Sequence, residues 1–541
     1  MNKNKQYPYY HDEKIYTLRE FLDFCEKKYS KRICFSYKRR NEVVNKTYAE
    51  FKKDVISLAN YLLNNNFTSQ NIALLGENSY EWIVSYFAII NSGNTVVPID
   101  KDLDIKEIMR ILSITQTKLV VYSNTYLDYA QEIEKNNIKL LSMKHIENSI
   151  LSSNNKLPKD KYKKIKVVGD DIAAIIYTSG TTGVPKGVML SNKNICINVT
   201  SGMQSLKFEG STILSLPLHH TYGISSSVLC TMFWGCKIFI NSSLKNLLSD
   251  FAEQKPDFMN TVPLLVETFY KNIYKKIREQ KKEKIVSIMI IISNLLLNIG
   301  IDVRKKLFSS IRNALGGNLN MLVCGGAPLD KKYQVGFKNF GIDIIEGYGI
   351  TECAPFIAVN RNEYYRFGSA GLPLTCSNVK IDTNGYENGE GEILVKGDMV
   401  MKGYYENPDL TEQAMEGDYF RTGDVGYMDR DNFIFITGRK KNIIILANGK
   451  NVYPEELEFK LLDNEEISEV IVKEKDNQIV AEIFPNYDFI KQKSISNVSE
   501  CLDKIILDFN KQMPLYKNIN KVEIRDKEFE KTTTKKIRRV Y

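Results

Sequence analysis

The sequence predicts an α/β protein of two or three domains, and three observations carry that expectation. At 541 residues the chain is too long for a single hydrophobic core. Short apolar runs alternate with amphipathic helical stretches up to about residue 145, the pattern of a parallel sheet with helical crossovers. From Gly368 onward the texture turns to short β-runs with frequent Gly and Asn, and the last part of the chain alternates strand and helix again. Hydrophobic residues make up 43% and charged residues 26%, the balance of an ordinary soluble enzyme rather than of a specialised class.

In chain order, a helical pattern surrounds Leu18, Phe21, Leu22 and Phe24, and a short strand follows at 33–37. T-Y-A-E-F at 47–51 has the form of a capped helix start, and that helix continues through 58–63. A strand at Asn71–Leu75, a helix over 82–92 ended by Gly93, and a strand at 95–98 come next. The polar stretch 147–164 reads as a loop or solvated linker, and 172–177 as a buried strand. Residues 271–284 are strongly basic, and 285–301 are almost wholly apolar. That run falls short of the ~20 residues needed to span a bilayer, so a buried or groove-forming helix is expected. Attachment to a membrane surface through the basic flank and the apolar face is the alternative.

The most informative stretch is 177–188, Y-T-S-G-T-T-G-V-P-K-G-V. Thr178, Ser179, Gly180, Thr181, Thr182 and Gly183 offer hydroxyls and backbone N–H groups, the glycines permit close approach, and Lys186 adds a cation. A polyphosphate is the expected ligand. A Walker-type loop requires Gly-Lys-Ser/Thr, whereas here Lys186 precedes Gly187. An ordinary Gly/Thr surface loop is the other reading, and so long a run of this composition argues against it.

Further along, L-P-L-H-H-T-Y-G at 216–223 places His219 and His220 beside Tyr222 and Gly223, with no carboxylate or cysteine at ligand spacing. Ser225 and its serine neighbours leave room for a long substrate. M-L-V-C-G-G-A-P-L carries a strand into the turn Gly325, Gly326, Ala327 and Pro328, where only small side chains let a flat ring lie on the backbone. E-G-Y-G-I-T-E follows, with Gly347, Tyr348, Gly349, Thr351 and Glu352. Tyr348 supplies a stacking ring, Thr351 a hydroxyl, and Glu352 a carboxylate able to hold Mg²⁺ at phosphates. Y-F-R-T-G-D ends in Asp424, on a turn where one carboxylate can accept two hydroxyls, while Asp429 and Asp431 read as hairpin-turn residues.

In this order the motifs resemble those of the adenylate-forming superfamily: acyl-CoA synthetases, luciferases and the adenylation domains of peptide synthetases. The resemblance covers about residues 47–539, and the texture of 285–301 and its continuation is nearest to bacterial long-chain fatty acyl-CoA synthetases. It implies a large N-terminal domain, 1–438, made of two α/β subdomains and a small β-barrel, followed by a mobile α+β lid, 439–541. By the same resemblance the two glycine turns sandwich adenine, His220 lines the carboxylate site, and Tyr222 is a pocket wall. Asp424 and Arg439 then contact ribose, Lys441 is the hinge, and Gly449 enters the site only after the lid rotates. The tail K-T-T-T-K-K-I-R-R is similar to the family's T-x-T-G-K-I-x-R, which aligns Lys536 with the catalytic lysine and puts Lys535 where glycine is usual.

The implied reaction joins a carboxylic acid, chiefly a medium- or long-chain fatty acid, to AMP and then to the thiol of CoA. Its cofactors are ATP, Mg²⁺ and CoA. Two rivals stand beside it: a ligase that loads a separate phosphopantetheinyl carrier protein, and a non-catalytic binder that kept the fold. The net charge of +9 suits anionic ligands, an acidic carrier or an anionic membrane surface, and no nucleic-acid module accompanies it. Nine cysteines without a C-x-x-C spacing and only four histidines disfavour zinc and fit a reducing compartment. The N-terminus lacks the apolar core of a signal peptide, so a cytoplasmic enzyme is expected, with peripheral contact at the inner face of the membrane as the variant.

Overall fold

The computed structural model describes residues 7–40, 42–151, 160–178, 185–241, 243–446, 451–476, 478–531, 537 and 539. The chain forms two compact units, one of residues 1–378 with 395–420 and the other of 379–394 with 421–541. The small sheet ahead of residue 439 therefore groups with the C-terminal residues, a different boundary from that of the expected moving domain.

Two mixed sheets build the first unit. In one, the order among the described strands is Gly403–Tyr404, Lys186–Ser191, Ile172–Thr178, Thr95–Ile99, Asn71–Leu75, Leu119–Tyr122 and Lys139–Ser142. It is parallel from Ile172–Thr178 outward and antiparallel on the side of Lys186–Ser191. The other has a parallel centre, Asp343–Gly349, Met321–Cys324, Phe258–Thr261, Ser211–Leu214, Lys237–Ile240 and Ile33–Arg39, with antiparallel strands at both edges. The α/β expectation holds. Residues at or near every strand predicted up to 98 are strands, and the three helices expected among them are present.

Local chemistry explains why. Thr47 caps helix Tyr48–Asn64, accepting from the Glu50 N–H while the Glu50 side chain accepts from the Thr47 N–H. Thr17 and Glu20 repeat this reciprocal cap at helix Leu18–Tyr29. Each such cap contributes about 1 kcal/mol and, more usefully, sets where the helix starts. These two helices, with Tyr80–Asn91 and Asn192–Ser205, bury Leu22, Leu58, Phe87 and Val199 against Phe35 of one sheet and Val96 and Ile176 of the other. Helices Pro263–Glu279 and Lys331–Asn339 pack over the far face of the Met321–Cys324 sheet through Val266, Phe269 and Phe337.

Helix Glu283–Asn298 corrects an expectation. Of its residues only Val286 and Ser293 are buried, so the apolar run is not the buried helix that was one expectation. Its sequence hydrophobicity misleads because apolar residues occur all round it, while only one narrow face meets the protein. Among the described residues no helix is long and apolar enough to cross a membrane.

In the second unit, strands Tyr419–Met428 and Ile434–Arg439 form an antiparallel hairpin, and Asp429 accepts from the Asp431 and Phe433 N–H groups at its turn. Strands Asn378–Asp382 and Gly391–Lys396 extend this sheet. The rest is α+β. Strands Ile467–Lys475, Gln478–Pro485 and Lys521–Ile524 pack Val472 and Ile483 against Leu457 of helix Pro454–Leu461 and Leu502 of helix Val498–Lys511.

Candidate active site

Thr178 closes strand Ile172–Thr178, Lys186 opens strand Lys186–Ser191, and the two are cross-strand partners. Ser179, Gly180, Thr181, Thr182 and Gly183 lie outside the described residues. Lys186 is engaged: its Nζ sits 5.4 Å from the centroid of the Tyr404 ring. Tyr404 stands on strand Gly403–Tyr404, opposite Val188, and its hydroxyl donates to Glu352 Oε1 at 2.9 Å. Burial, reinforced by the Glu352 charge, holds this phenol well above its ordinary range, so it stays a donor. Tyr404 was passed over in the sequence because M-K-G-Y-Y reads only as β texture. Its partners come from two distant segments, and strand pairing alone brings them together.

Glu352 and Thr351 share the short turn Thr351–Cys353 and are both half-buried, and the Met401 N–H donates to the Glu352 carbonyl at 2.8 Å. One carboxylate oxygen of Glu352 is thus held by Tyr404.

The two glycine turns line one cavity. Gly325 and Gly326 follow strand Met321–Cys324, whose parallel neighbour Asp343–Gly349 ends in Gly347, Tyr348 and Gly349. All five residues line the cavity together with Tyr222 and Ser226. Its wall continues over Leu206, Phe208, Cys230 and Phe356, which are apolar. A Cβ on Gly325 would lie 3.1 Å from the Tyr222 ring, and one on Gly349 only 1.9 Å from the Pro355 carbonyl oxygen. Bare backbone at Gly349 is therefore required by its packing against Pro355. Ala327 and Pro328 are exposed at the rim of the first turn.

Tyr222 is anchored at its hydroxyl, 3.1 Å from both the Thr261 and Val323 carbonyl oxygens, and burial pushes its phenol far up. It leads into the wide helical segment Gly223–Cys230, where a Cβ on Gly223 would reach 2.0 Å from the Pro217 carbonyl oxygen. Ser225 is buried, its hydroxyl 3.5 Å from the Ala354 carbonyl oxygen, while Ser226 faces the cavity and Asn260 at 2.5 Å. Glu346, directly before Gly347, is buried, and that burial pushes its carboxyl up to about 8.

His220 is half-buried, with its ring centroid 4.2 Å from that of His219, and is not among the described residues lining the cavity. His219 Nε2 lies 3.3 Å from Asp100 Oδ1. The ligand atoms of Asp100, His219 and His220 all lie within 4.8 Å of one another. A carboxylate does accompany the histidine pair, contrary to the reading by spacing, because the end of strand Thr95–Ile99 delivers it from far away in sequence.

In the second unit, Asp424 and Arg439 are cross-strand partners, with Arg439 Nε 2.8 Å from Asp424 Oδ1. Gly423 has a left-handed φ of 70° inside strand Tyr419–Met428, so Asp424 stands within a strand and not on the turn expected from T-G-D. Asp424 is buried and Arg439 reaches solvent. Lys441 sits on the turn Lys440–Asn442, and desolvation together with the charges of Arg439 and Arg539 lowers its ammonium below the usual lysine range. Lys536 and Gly449 lie outside the described residues. Lys531 pairs with Ile537, the Phe529 N–H donates to Glu469 at 2.8 Å, and the Arg539 guanidinium meets Glu458. Burial raises that carboxyl to about 7, against the pull of Arg539.

Comparison with known proteins adds to this geometry. A family model described as AMP-binding enzyme matches residues 22–405. The long-chain-fatty-acid–CoA ligase FadD15 of Mycobacterium bovis is 29% identical over 74% of this chain and 70% of its own length. The 2-succinylbenzoate–CoA ligase of Bacillus licheniformis is 28% identical over 80% of this chain and 81% of its own. Among solved structures, the O-succinylbenzoate coenzyme A synthetase of Bacillus subtilis, in complex with ATP and magnesium ion, superimposes with a TM-score of 0.75 at 20% identity, covering 96% of this chain and 98% of that one.

Proposed function

The chain belongs to the AMP-binding enzyme family, and on that premise we propose that it is an ATP-dependent acid–CoA ligase whose acid is a medium- or long-chain fatty acid. The observation that carries this reading is the single cavity in which two glycine turns meet an apolar wall. The bare backbone at Gly325, Gly347 and Gly349 suits an adenine ring beside Tyr348, and Leu206, Phe208 and Cys230 suit an alkyl chain. The similarity to a long-chain-fatty-acid–CoA ligase points the same way.

The chemistry sets two anions against each other. A carboxylate oxygen attacks the α-phosphorus of ATP, the bond to pyrophosphate breaks, and an acyl adenylate forms. Positioning and cations supply most of the rate. In this reading Thr178, Ser179, Thr181 and Thr182 hold the β- and γ-phosphates, and Lys186 stands at the loop's exit. Thr351 donates to the α-phosphate, and Glu352, oriented by Tyr404, holds Mg²⁺, which when bound offsets phosphate charge. Asp424 and Arg439 hold the ribose, and Lys536 bridges carboxylate and α-phosphate as a cation. The thiol of CoA then attacks the acyl carbon and AMP leaves with its phosphate oxygen.

An aryl acid is the second reading, favoured by the similarity to a 2-succinylbenzoate–CoA ligase. ATP–pyrophosphate exchange across acids from acetate through palmitate to benzoates, with and without CoA, separates the two. Exchange greatest with long fatty acids, and acyl-CoA formed on adding CoA, is the expected result. Exchange confined to aryl acids would replace the substrate, exchange without acyl-CoA would point to a carrier protein, and no exchange would refute the ligase reading.

A further inference from the structure

Helix Glu283–Asn298 turns large apolar side chains into solvent. Ile285, Ile288, Ile291, Ile292 and Leu295 on it, and Ile299 and Ile301 just past its end, are each 48–70% exposed. Positions 285, 288, 292, 295 and 299 follow the i, i+3, i+7 rhythm of one helical face, a stripe roughly 21 Å long at ~1.5 Å per residue. The opposite side is fixed: Val286 is buried in the helical layer over the second sheet, Met289 and Ile290 pack against it, and Asn294 meets Asn339 at 3.2 Å. The stripe is thus a face held outward by packing.

Charge frames it. Residues 271–306 contain ten Lys or Arg against three Asp or Glu, so most of the chain's formal +9 resides there. Lys281, Lys282 and Lys284 are exposed at the helix N-terminal end, and Lys305 and Lys306 just beyond the other. Of the three acids, Asp302 is taken by Arg304 at 2.7 Å. Three lysines at a helix N-terminus oppose its dipole, so helix stability does not explain their place. A second copy of this chain is a poor occupant, because a two-fold pairing of the stripes would bring basic ends together whichever way the helices ran. An apolar face between two cationic ends complements a surface that is apolar within and anionic at its rim.

We propose that this helix docks the protein on the surface of an anionic lipid bilayer, with the isoleucine stripe in the acyl boundary and the flanking lysines at the headgroups. The docking is independent of which acid the enzyme uses.

The test is flotation of the full-length protein with vesicles of phosphatidylcholine alone, or of phosphatidylcholine with one-third phosphatidylglycerol. Binding to the anionic vesicles is expected to exceed that to neutral ones by about 10-fold or more and to fall in high salt. The double variant Ile288→Glu/Ile292→Glu and, separately, the triple variant Lys281→Glu/Lys282→Glu/Lys284→Glu are each expected to lose most of it. Both keep their thermal midpoint and ATP–pyrophosphate exchange, since none of these residues lines the cavity. Absence of binding to anionic vesicles, or binding unchanged by the isoleucine variant, overturns the proposal. So does sedimentation showing a dimer that the same isoleucine substitutions dissociate.

Discussion

Tyr404 joins the two charged side chains nearest the expected phosphates, donating its hydroxyl to Glu352 while its ring receives Lys186. A hydrogen bond to a charged acceptor contributes about 1.5–3 kcal/mol. Tyr404→Phe keeps the ring under Lys186 and removes only the donor, so we expect pyrophosphate exchange to drop roughly tenfold or more, with a higher Mg²⁺ requirement. An unchanged Mg²⁺ dependence would mean that Tyr404 does not orient the metal-binding carboxylate. Glu346 makes a different prediction. Its folded value of about 8 lies above the ordinary carboxyl value of 4.5, so the folded state keeps a proton that the unfolded chain releases. That contribution is complete below the unfolded value and is lost as pH climbs through the folded one, at up to about 1.4 kcal/mol per pH unit. Glu346→Gln should flatten the fall in Tm between about pH 5.5 and about pH 8. A fall as steep as in the unsubstituted chain would show that the carboxyl is already ionised. Neither residue was legible as functional in the sequence, because one acts through strand pairing and the other through burial, and neither leaves a pattern in neighbouring letters.

Elements were more legible than contacts. The capped helix start at Thr47, the strand Asn71–Leu75 and the two glycine turns could all be read from local chemistry, since each depends on residues within a few positions. Helix Glu283–Asn298 was misread for the complementary reason: periodicity says that a face is apolar and does not say that anything covers it. The turn E-G-Y-G separates two glycines that look alike in sequence. A Cβ on Gly347 would make ordinary 3.4 Å contacts, whereas one on Gly349 would lie 1.9 Å from the Pro355 carbonyl oxygen. Gly349→Ala should therefore cost about 1–3 kcal/mol through forced backbone shifts, lower Tm and raise the KM for ATP. Gly347→Ala should leave Tm nearly unchanged. Equal behaviour of the two would place the constraint outside the strand.

For the whole molecule, the division of labour between half-reactions is the property to test. Lys536→Ala is expected to reduce pyrophosphate exchange by about 100-fold or more, on the scale of a lost electrostatic contact to a developing charge, yet to convert supplied acyl adenylate into thioester at a near-normal rate. Equal loss of both steps would remove Lys536 from its proposed role. The order of motifs along the chain made the proposed chemistry legible, whereas the cavity wall proposed to select the acid is assembled from Leu206, Phe208, Tyr222, Cys230 and Phe356, which no local pattern announces. The unbridged cysteines carry one more consequence. Seven of the nine are buried, all in the first unit, and Cys230 and Cys324 lie in the wall of the cavity. The rate at which a thiol reagent reaches these two sulfurs is expected to report how often the cavity opens, and to fall when substrate is bound, without any label having to be introduced.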